Sequence, residues 1–346
     1  MGKKLFDFCI GNPPYQNDVD NKGDRANPLY DVFMDAAYNV SGIVELITPA
    51  RFLFNAGQTS KVWNEKILND EHIKVLFYEA DSKNIFPLTD IKGGIAITIR
   101  NENIRYGAIE VFTPYKELNN IIHRILTGKS LQFIDSIAAP RGNYRTSEDF
   151  SKDFPYAVNR LGKGTGNMLV SNFFDKVPEA IVNDKIVIEG QFLSILCRMD
   201  GERKKVKIRK DYILPNKFLA SYNVASPEAN GSGKFGEKLT ASEILLPNQG
   251  ATDTFVSLGM FETIQEAQSL QKYMKTKFFR ALLGVKKVTQ HCSPAVWKYV
   301  PLQDFTASSD IDWSQSIHDI DQQLYKKYGL SPDEIDFIEK NVKEMV

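Results

Sequence analysis

Phe6-Asp7-Phe8-Cys9-Ile10-Gly11-Asn12-Pro13-Pro14-Tyr15 is a short apolar run that passes directly into a polar residue and two prolines. Each proline fixes its own φ and biases the residue before it away from the helix, so the predicted strand ends in an extended, rigid turn. The turn presents Asn12 and Tyr15 at a strand's carboxyl end, which in an open α/β sheet is the edge where ligands bind. One chemical problem suits such a turn: making a planar, amide-like amino nitrogen attack an electrophile. The lone pair of that nitrogen is delocalised and its hydrogens lie in plane, so acceptors must draw on those hydrogens. The Asn12 side-chain oxygen and the Pro13 carbonyl supply two acceptors. Tyr15 supplies a ring on which an unstacked base can lie. Asn-Pro and Pro-Pro are also ordinary turn signals, and it is the strand before them that gives the tetrapeptide its weight.

In that setting Asn12-Pro13-Pro14-Tyr15 resembles the catalytic motif of the amino-methyltransferase superfamily. Within it, the sequence is similar to the adenine-specific DNA methyltransferases of restriction–modification systems, the fused type IIG group in particular. The resemblance implies catalytic roles for Asn12, Pro13, Pro14 and Tyr15, S-adenosylmethionine as cofactor and double-stranded DNA as partner. It extends to Thr48-Pro49-Ala50-Arg51-Phe52-Leu53, a strand end that in the family lies beside the base pocket, and there Arg51 is a candidate phosphate contact.

The chain has 346 residues, enough for two independent cores. Its 43 basic and 43 acidic residues balance, so nucleic-acid contact has to come from local patches. Cys9, Cys197 and Cys292 are far apart and odd in number, which argues against a disulfide framework or a zinc site and fits a reducing, cytoplasmic setting. No metal is expected. No apolar run approaches the ~18 residues of a membrane span.

Along the chain, polar residues 16–27 read as a loop placed to close over a base, or as a plain connection. A helix follows, with Leu29, Val32, Phe33, Ala36, Ala37 and Val40 on its apolar face. Strands are expected at 43–48, 73–78 and 93–99, the last with a Gly-rich entry, with a helix at 58–69 and an edge strand at 106–112. Gly93-Gly94 reads as a backbone bend, since no helix follows it. The expected fold is α/β: a partial doubly wound, mainly parallel methyltransferase sheet over 1–130, an α+β target-recognition domain over 131–305, and a helical segment over 306–346.

The family's Gly-rich cofactor turn and its acidic ribose residue normally precede the Asn-Pro-Pro-Tyr strand. Gly162-Lys163-Gly164-Thr165-Gly166 and Asn230-Gly231-Ser232-Gly233-Lys234-Phe235-Gly236 are the Gly-rich alternatives, and both read as loops. The expectation is therefore of the catalytic-motif and DNA-recognition portion of such an enzyme without its cofactor-binding half, inactive until that half is supplied. The resulting exposed sheet edge would favour a second subunit or self-association.

Beyond residue 130, Arg203-Lys204-Lys205-Val206-Lys207-Ile208-Arg209-Lys210 packs six basic residues into eight positions. Strand alternation would send Lys205, Lys207 and Arg209 to one face, toward phosphates or toward solvent. Arg141, Arg145, Lys286 and Lys287 are further DNA-binding candidates. Short β-like runs are expected at 185–189 and 192–198, a long amphipathic helix over 264–283, and a last helix capped by Ser331 and Glu334. Asp184 with Glu189 is the nearest approach to a nuclease metal site and lacks its lysine. Two other functions fit the tetrapeptide: a protein glutamine methyltransferase, whose chain would be shorter, and a non-catalytic DNA-binding specificity protein.

Overall fold

The computed structural model of the chain describes residues 4–17, 27–55, 59–128, 131–162, 164–182, 191–287 and 289–345. The β-like run at 185–189, and with it Asp184 and Glu189, lies outside them, as do residues 18–26 of the loop at 16–27. The chain divides into two compact units, residues 1–127 and 128–346.

The first unit holds β1 (Phe6–Gly11), α1 (Tyr30–Val40), β2 (Ser41–Pro49), α2 (Lys61–Leu68), β3 (Ile73–Glu79), β4 (Ile95–Asn101) and α3 (Lys116–Thr127). The strands form one sheet in the order β1-β2-β4-β3. Only β1 and β2 run parallel; β4 is antiparallel to both β2 and β3. This corrects the expected mainly parallel sheet. Strand periodicity reveals which face is apolar but carries no record of direction, so the reversal of β4 was invisible in the sequence.

One face of the sheet is covered. Val44, Leu46, Ile73 and Ala96 pack there with Met34, Phe52 and Ile67, and Cys9 of β1 joins them. Alternation sends Phe6, Phe8 and Ile10 to the opposite side, where they are 60%, 70% and 78% exposed. Helix α1 is rotated relative to expectation: it buries Tyr30, Met34, Ala37 and Tyr38, and leaves Val32 and Phe33 exposed. The helix is apolar on two sides, so periodicity alone selected the wrong one. Residues 106–112 form no strand. The amides of Tyr106 and Gly107 turn to the Glu71 carbonyl, and positive φ at Gly107 and Glu110 breaks the extended path.

Among its described residues, the second unit carries two three-stranded sheets and a helical close. Its short helices α4 (Glu148–Asp153), α5 (Ala157–Leu161) and α6 (Phe173–Lys176) precede β5 (Phe192–Met199) and β6 (Glu202–Arg209). Then come β7 (Tyr222–Pro227), β8 (Glu243–Leu245), β9 (Gln249–Ala251) and β10 (Phe255–Phe261), which pair in the orders β6-β5-β9 and β10-β7-β8. Their core includes Phe150, Phe173, Leu193, Ile195 and Tyr212.

The expected helix at 264–283 is two helices, α7 (Ile264–Lys275) and α8 (Lys277–Leu283). Thr276 is extended between them and its hydroxyl accepts from the Phe279 amide, while the Asp321 carboxylate accepts from the Lys277 and Phe278 amides. These acceptors satisfy the first amides of a new helix, a role that i→i−4 periodicity cannot announce. Asp321 belongs to α9 (Ile317–Lys327), and α10 (Pro332–Asn341) follows with the Ser331–Glu334 capping box in place.

Candidate functional site

Strand direction gathers the site. Because β1 and β2 are parallel and β4 opposes both β2 and β3, one sheet edge receives the carboxyl ends of β1, β2 and β3 together with the start of β4. Asn12–Tyr15, Pro49–Arg51, Glu79 and Ile91–Gly94 therefore meet there although they are far apart in the chain. A cavity of about 250 Å³ opens at this edge, lined by Tyr15, Gln16, Tyr30, Arg51, Thr89 and Asp90 among others.

Tyr15 stands in the wall of that cavity. Its hydroxyl is buried without a hydrogen-bond partner, and burial pushes its pKa up to about 12. Its backbone is pinned on the far side: the Leu29 amide donates to the Tyr15 carbonyl at 3.1 Å, Gln16 bridges Pro28, and the Asn17 amide donates to the Asn27 carbonyl at 3.0 Å. Tyr30 forms the adjoining wall, backed by Phe52 at 6.2 Å and Trp63 at 6.3 Å between ring centroids. Asn12 and Pro14 are exposed at the end of β1, with Pro13 half-buried between them. Tyr15 is thus part of the cavity lining, whereas Asn12 reaches the same sheet edge outside it.

Arg51 is held at the cavity by the Gly-rich bend. Its Nε donates to the Lys92 carbonyl at 2.8 Å, and the Ala50 amide donates to the Gly94 carbonyl at 2.9 Å. Gly93 has φ +87°, and a Cβ there would stand 2.8 Å from Arg51 Cγ. Gly93-Gly94 is a bend, as its sequence context predicted, and the bend seats a cation. Nothing local in the sequence marks Thr89, Asp90 and Ile91 as lining of the same cavity, because a loop's partner is fixed by the pairing of its flanking strands.

The other DNA candidates are dispersed over the second unit, and several have partners. Lys287 is a correction: its side chain is 3% exposed and its ammonium lies 2.7 Å from Glu237 Oε1, so it is a buried structural cation. Lys205 pairs with Glu243 at 2.6 Å. Arg209 pairs with Asp153 and Asp211 and covers the Tyr212 ring. Lys207 sits between them on β6 and is half-buried. Arg145 donates to the Asn167 side chain at 3.1 Å, and Arg141 lies 3.5 Å from Asp253. Lys286 is exposed, with its ammonium 5.6 Å from the Tyr299 ring centre; Lys298, which the sequence reading passed over, approaches the same ring at 5.5 Å. Although the residue as a whole is exposed, partial desolvation of its ammonium, then the Lys298 charge, lowers the Lys286 pKa.

Among the described residues, the Gly-rich stretches read as loops and bends. The amides of Ser232 and Gly233 donate to the Glu237 carboxylate at 2.7 and 2.8 Å, so the loop at 230–236 is filled from within. Gly93-Gly94 leads into a strand, and the next helix after Gly166 is the four-residue α6. Among the described residues no cluster of three metal-ligating side chains occurs, the three cysteines are unpaired, and no helix is long and apolar enough to cross a membrane.

Residues 1–86, which hold the tetrapeptide, β1 and most of the cavity, match the family described as the Eco57I restriction-modification methylase. The amino-terminal region of the chain is thus similar to restriction–modification methylases. A relative among known proteins is an uncharacterised adenine-specific methylase of Mycoplasma pneumoniae, 32% identical over 106 residues, which are 30% of this chain and 25% of that one. The chain therefore spans a quarter of that relative's length. Among solved structures, the type IIG restriction endonuclease BpuSI aligns over 90% of this chain and 48% of its own, with a TM-score of 0.32 and 9% identity. The ATP-dependent type ISP restriction-modification enzyme LlaBIII bound to DNA aligns over 73% and 24%, with a TM-score of 0.19 and 13% identity. Neither structural likeness is close enough to bear on the fold or the activity.

Proposed function

We propose that this chain carries the target-amine site and the DNA-recognition region of a DNA adenine methyltransferase of a restriction–modification system. The observation that carries the reading is Asn12–Tyr15 at the carboxyl end of β1, beside an aromatic-walled cavity, within the segment that matches the methylase family. Adenine taken out of the duplex stacks on Tyr15. Asn12 Oδ1 and the Pro13 carbonyl accept the two N6 hydrogens, which localises the nitrogen lone pair for attack and orients it. Arg51, anchored through Nε to the Lys92 carbonyl, directs its remaining N–H groups to the phosphate of that nucleotide.

S-adenosylmethionine is the methyl donor of this chemistry. The described residues do not fit it, since the Gly-rich turns are occupied or lead into the wrong elements. The strands that bind it are assigned to the other edge of β1, which carries no strand among the described residues and whose outward face is apolar. They join there in cis or as a second subunit. The glutamine-methyltransferase reading has no support of its own in the structure, nor has a purely DNA-binding role.

Calorimetric titration of the chain with S-adenosylmethionine, followed by a methylation assay on duplex DNA, tests this. The expected result is weak binding and no turnover alone, and N6-adenine methylation once the cofactor-binding half is supplied. Tight stoichiometric binding with turnover by the chain alone would overturn the cofactor assignment, and transfer to a protein glutamine in place of DNA would overturn the substrate.

A further inference from the structure

The second unit contains a cleft of about 470 Å³ whose lining includes Arg141, Asn143, Glu228, Asp253, Thr254 and His291. Its polar groups come in pairs, an arginine beside one carboxylate and an imidazole beside another. Arg141 Nη2 lies 3.5 Å from Asp253 Oδ2, and His291 Nδ1 lies 3.0 Å from Glu228 Oε1. The Asp253 carboxylate is 12% exposed while the Arg141 side chain is 81% exposed, so the guanidinium extends outward over an acceptor set deeper in the wall. The Asn143 amide nitrogen is buried there without a hydrogen-bond partner.

The walls are fixed by backbone. The Glu228 amide donates to the Thr254 carbonyl at 2.8 Å, the Cys292 amide to the Glu228 carbonyl at 2.7 Å, and the Asp253 amide to the Leu169 carbonyl at 2.9 Å. Gly142, with φ +70°, makes the turn between Arg141 and Asn143; a Cβ there would fall 2.1 Å from Met168 Sδ. Groups so held keep their spacing when a ligand arrives.

The polarity of the cleft selects its ligand. A groove that tracks phosphates is lined by unopposed cations, because its affinity comes from displaced counterions. Two carboxylates in the wall repel phosphate. They suit neutral polar edges: a carboxylate accepts from the exocyclic amino group of cytosine or adenine, and a guanidinium donates to the acceptor edge of guanine. Resting on the DNA reading above, we propose that this cleft reads base edges, with Asp253 accepting from a base amino group and Arg141 donating to a neighbouring base, so that the two residues determine sequence preference.

The test is selection of bound duplexes from a randomised library by the whole 346-residue chain, as wild type, Asp253→Asn and Arg141→Gln, with binding measured against salt concentration. The wild type is expected to enrich a motif. Each variant is expected to lose roughly 5- to 150-fold discrimination at one or two positions of it, the worth of a good base contact, with an unchanged salt slope. The proposal is overturned by a motif that survives both substitutions. A uniform loss of affinity with a shallower slope would also overturn it, since that marks a phosphate contact. DNA bound by the wild type without any motif overturns base reading alone and leaves the methylation site standing, whereas no binding to any duplex overturns both. Arg141 is on the surface, so Arg141→Gln decides the matter even if Asp253→Asn fails to fold.

Discussion

Asn12→Ala removes an acceptor from the end of β1 without touching the described packing of either unit. With the cofactor-binding half supplied, it is expected to abolish methyl transfer and leave duplex affinity within about twofold, a difference worth under ~0.5 kcal/mol; a filter-binding assay beside a methylation assay checks both. Lys287→Ala acts differently, because it removes the buried ammonium from the partly buried Glu237 carboxylate, which keeps only the Ser232 and Gly233 donors. The expected cost is about 1–3 kcal/mol of stability, read from urea denaturation. Desolvation pushes the Glu237 pKa up, but the Lys287 ammonium and the Ser232 and Gly233 amides outweigh it and bring it down to about 2. That pair contributes above the unfolded carboxylate range, and its contribution is lost as pH falls from about 4.5 toward 2. Asp321 has the opposite sign: burial raises it to about 6, against the Lys277 and Phe278 amides that it caps. Between about pH 4 and 6 the folded chain holds a proton that the unfolded chain releases, so stability declines as pH rises through that window. Asp321→Asn is expected to flatten the decline, and urea melts at half-unit steps of pH would show it.

At the scale of elements, the sequence was most legible where a local rule fixes the outcome. β1 with its proline stop, the bend at Gly93-Gly94 and the capping box at Ser331 each follow from a few adjacent residues. Direction, rotation and partnership were not legible. The reversal of β4, the turned face of α1 and the break at Thr276 all depend on groups distant in the chain, such as Asp321 for α8. The same holds for the candidate site: the strand and turn that carry the tetrapeptide were readable, while Thr89 and Asp90 enter through the pairing of β3 with β4. The exposed side of β1 makes an element-level prediction. Phe8→Lys with Ile10→Lys is expected to suppress concentration-dependent association of the chain, measured by sedimentation velocity, without lowering its urea midpoint, because both side chains already face solvent. A lowered midpoint with unchanged association would count against an open β1 face.

For the whole molecule, balanced charge means that DNA affinity depends on which cations lack an internal partner. The basic run on β6 looked the strongest source in the sequence, yet Lys205 and Arg209 already meet carboxylates. Counterion release from those two is correspondingly reduced. Lys286 and Lys298 lie over the Tyr299 ring and, among the described residues, meet no acid. Converting both to Gln is expected to lower the magnitude of the log–log salt slope by about 2, with affinity falling alike for all sequences. The double substitution of Lys205 and Arg209 is expected to change it by less, and fluorescence anisotropy across a salt series distinguishes the two.

The paired stems at 15–17 and 27–29 have a consequence for engineering. Tyr15, Gln16 and Asn17 are fastened to Leu29, Pro28 and Asn27, so whatever chain runs between the stems is closed before it begins. Doubling the length of such a closed segment costs only about 0.6 kcal/mol. The stem bonds, and not the length of chain that joins them, therefore set where Tyr15 stands, so a tag or fluorophore inserted between Asn17 and Asn27 is expected to leave the aromatic wall in place.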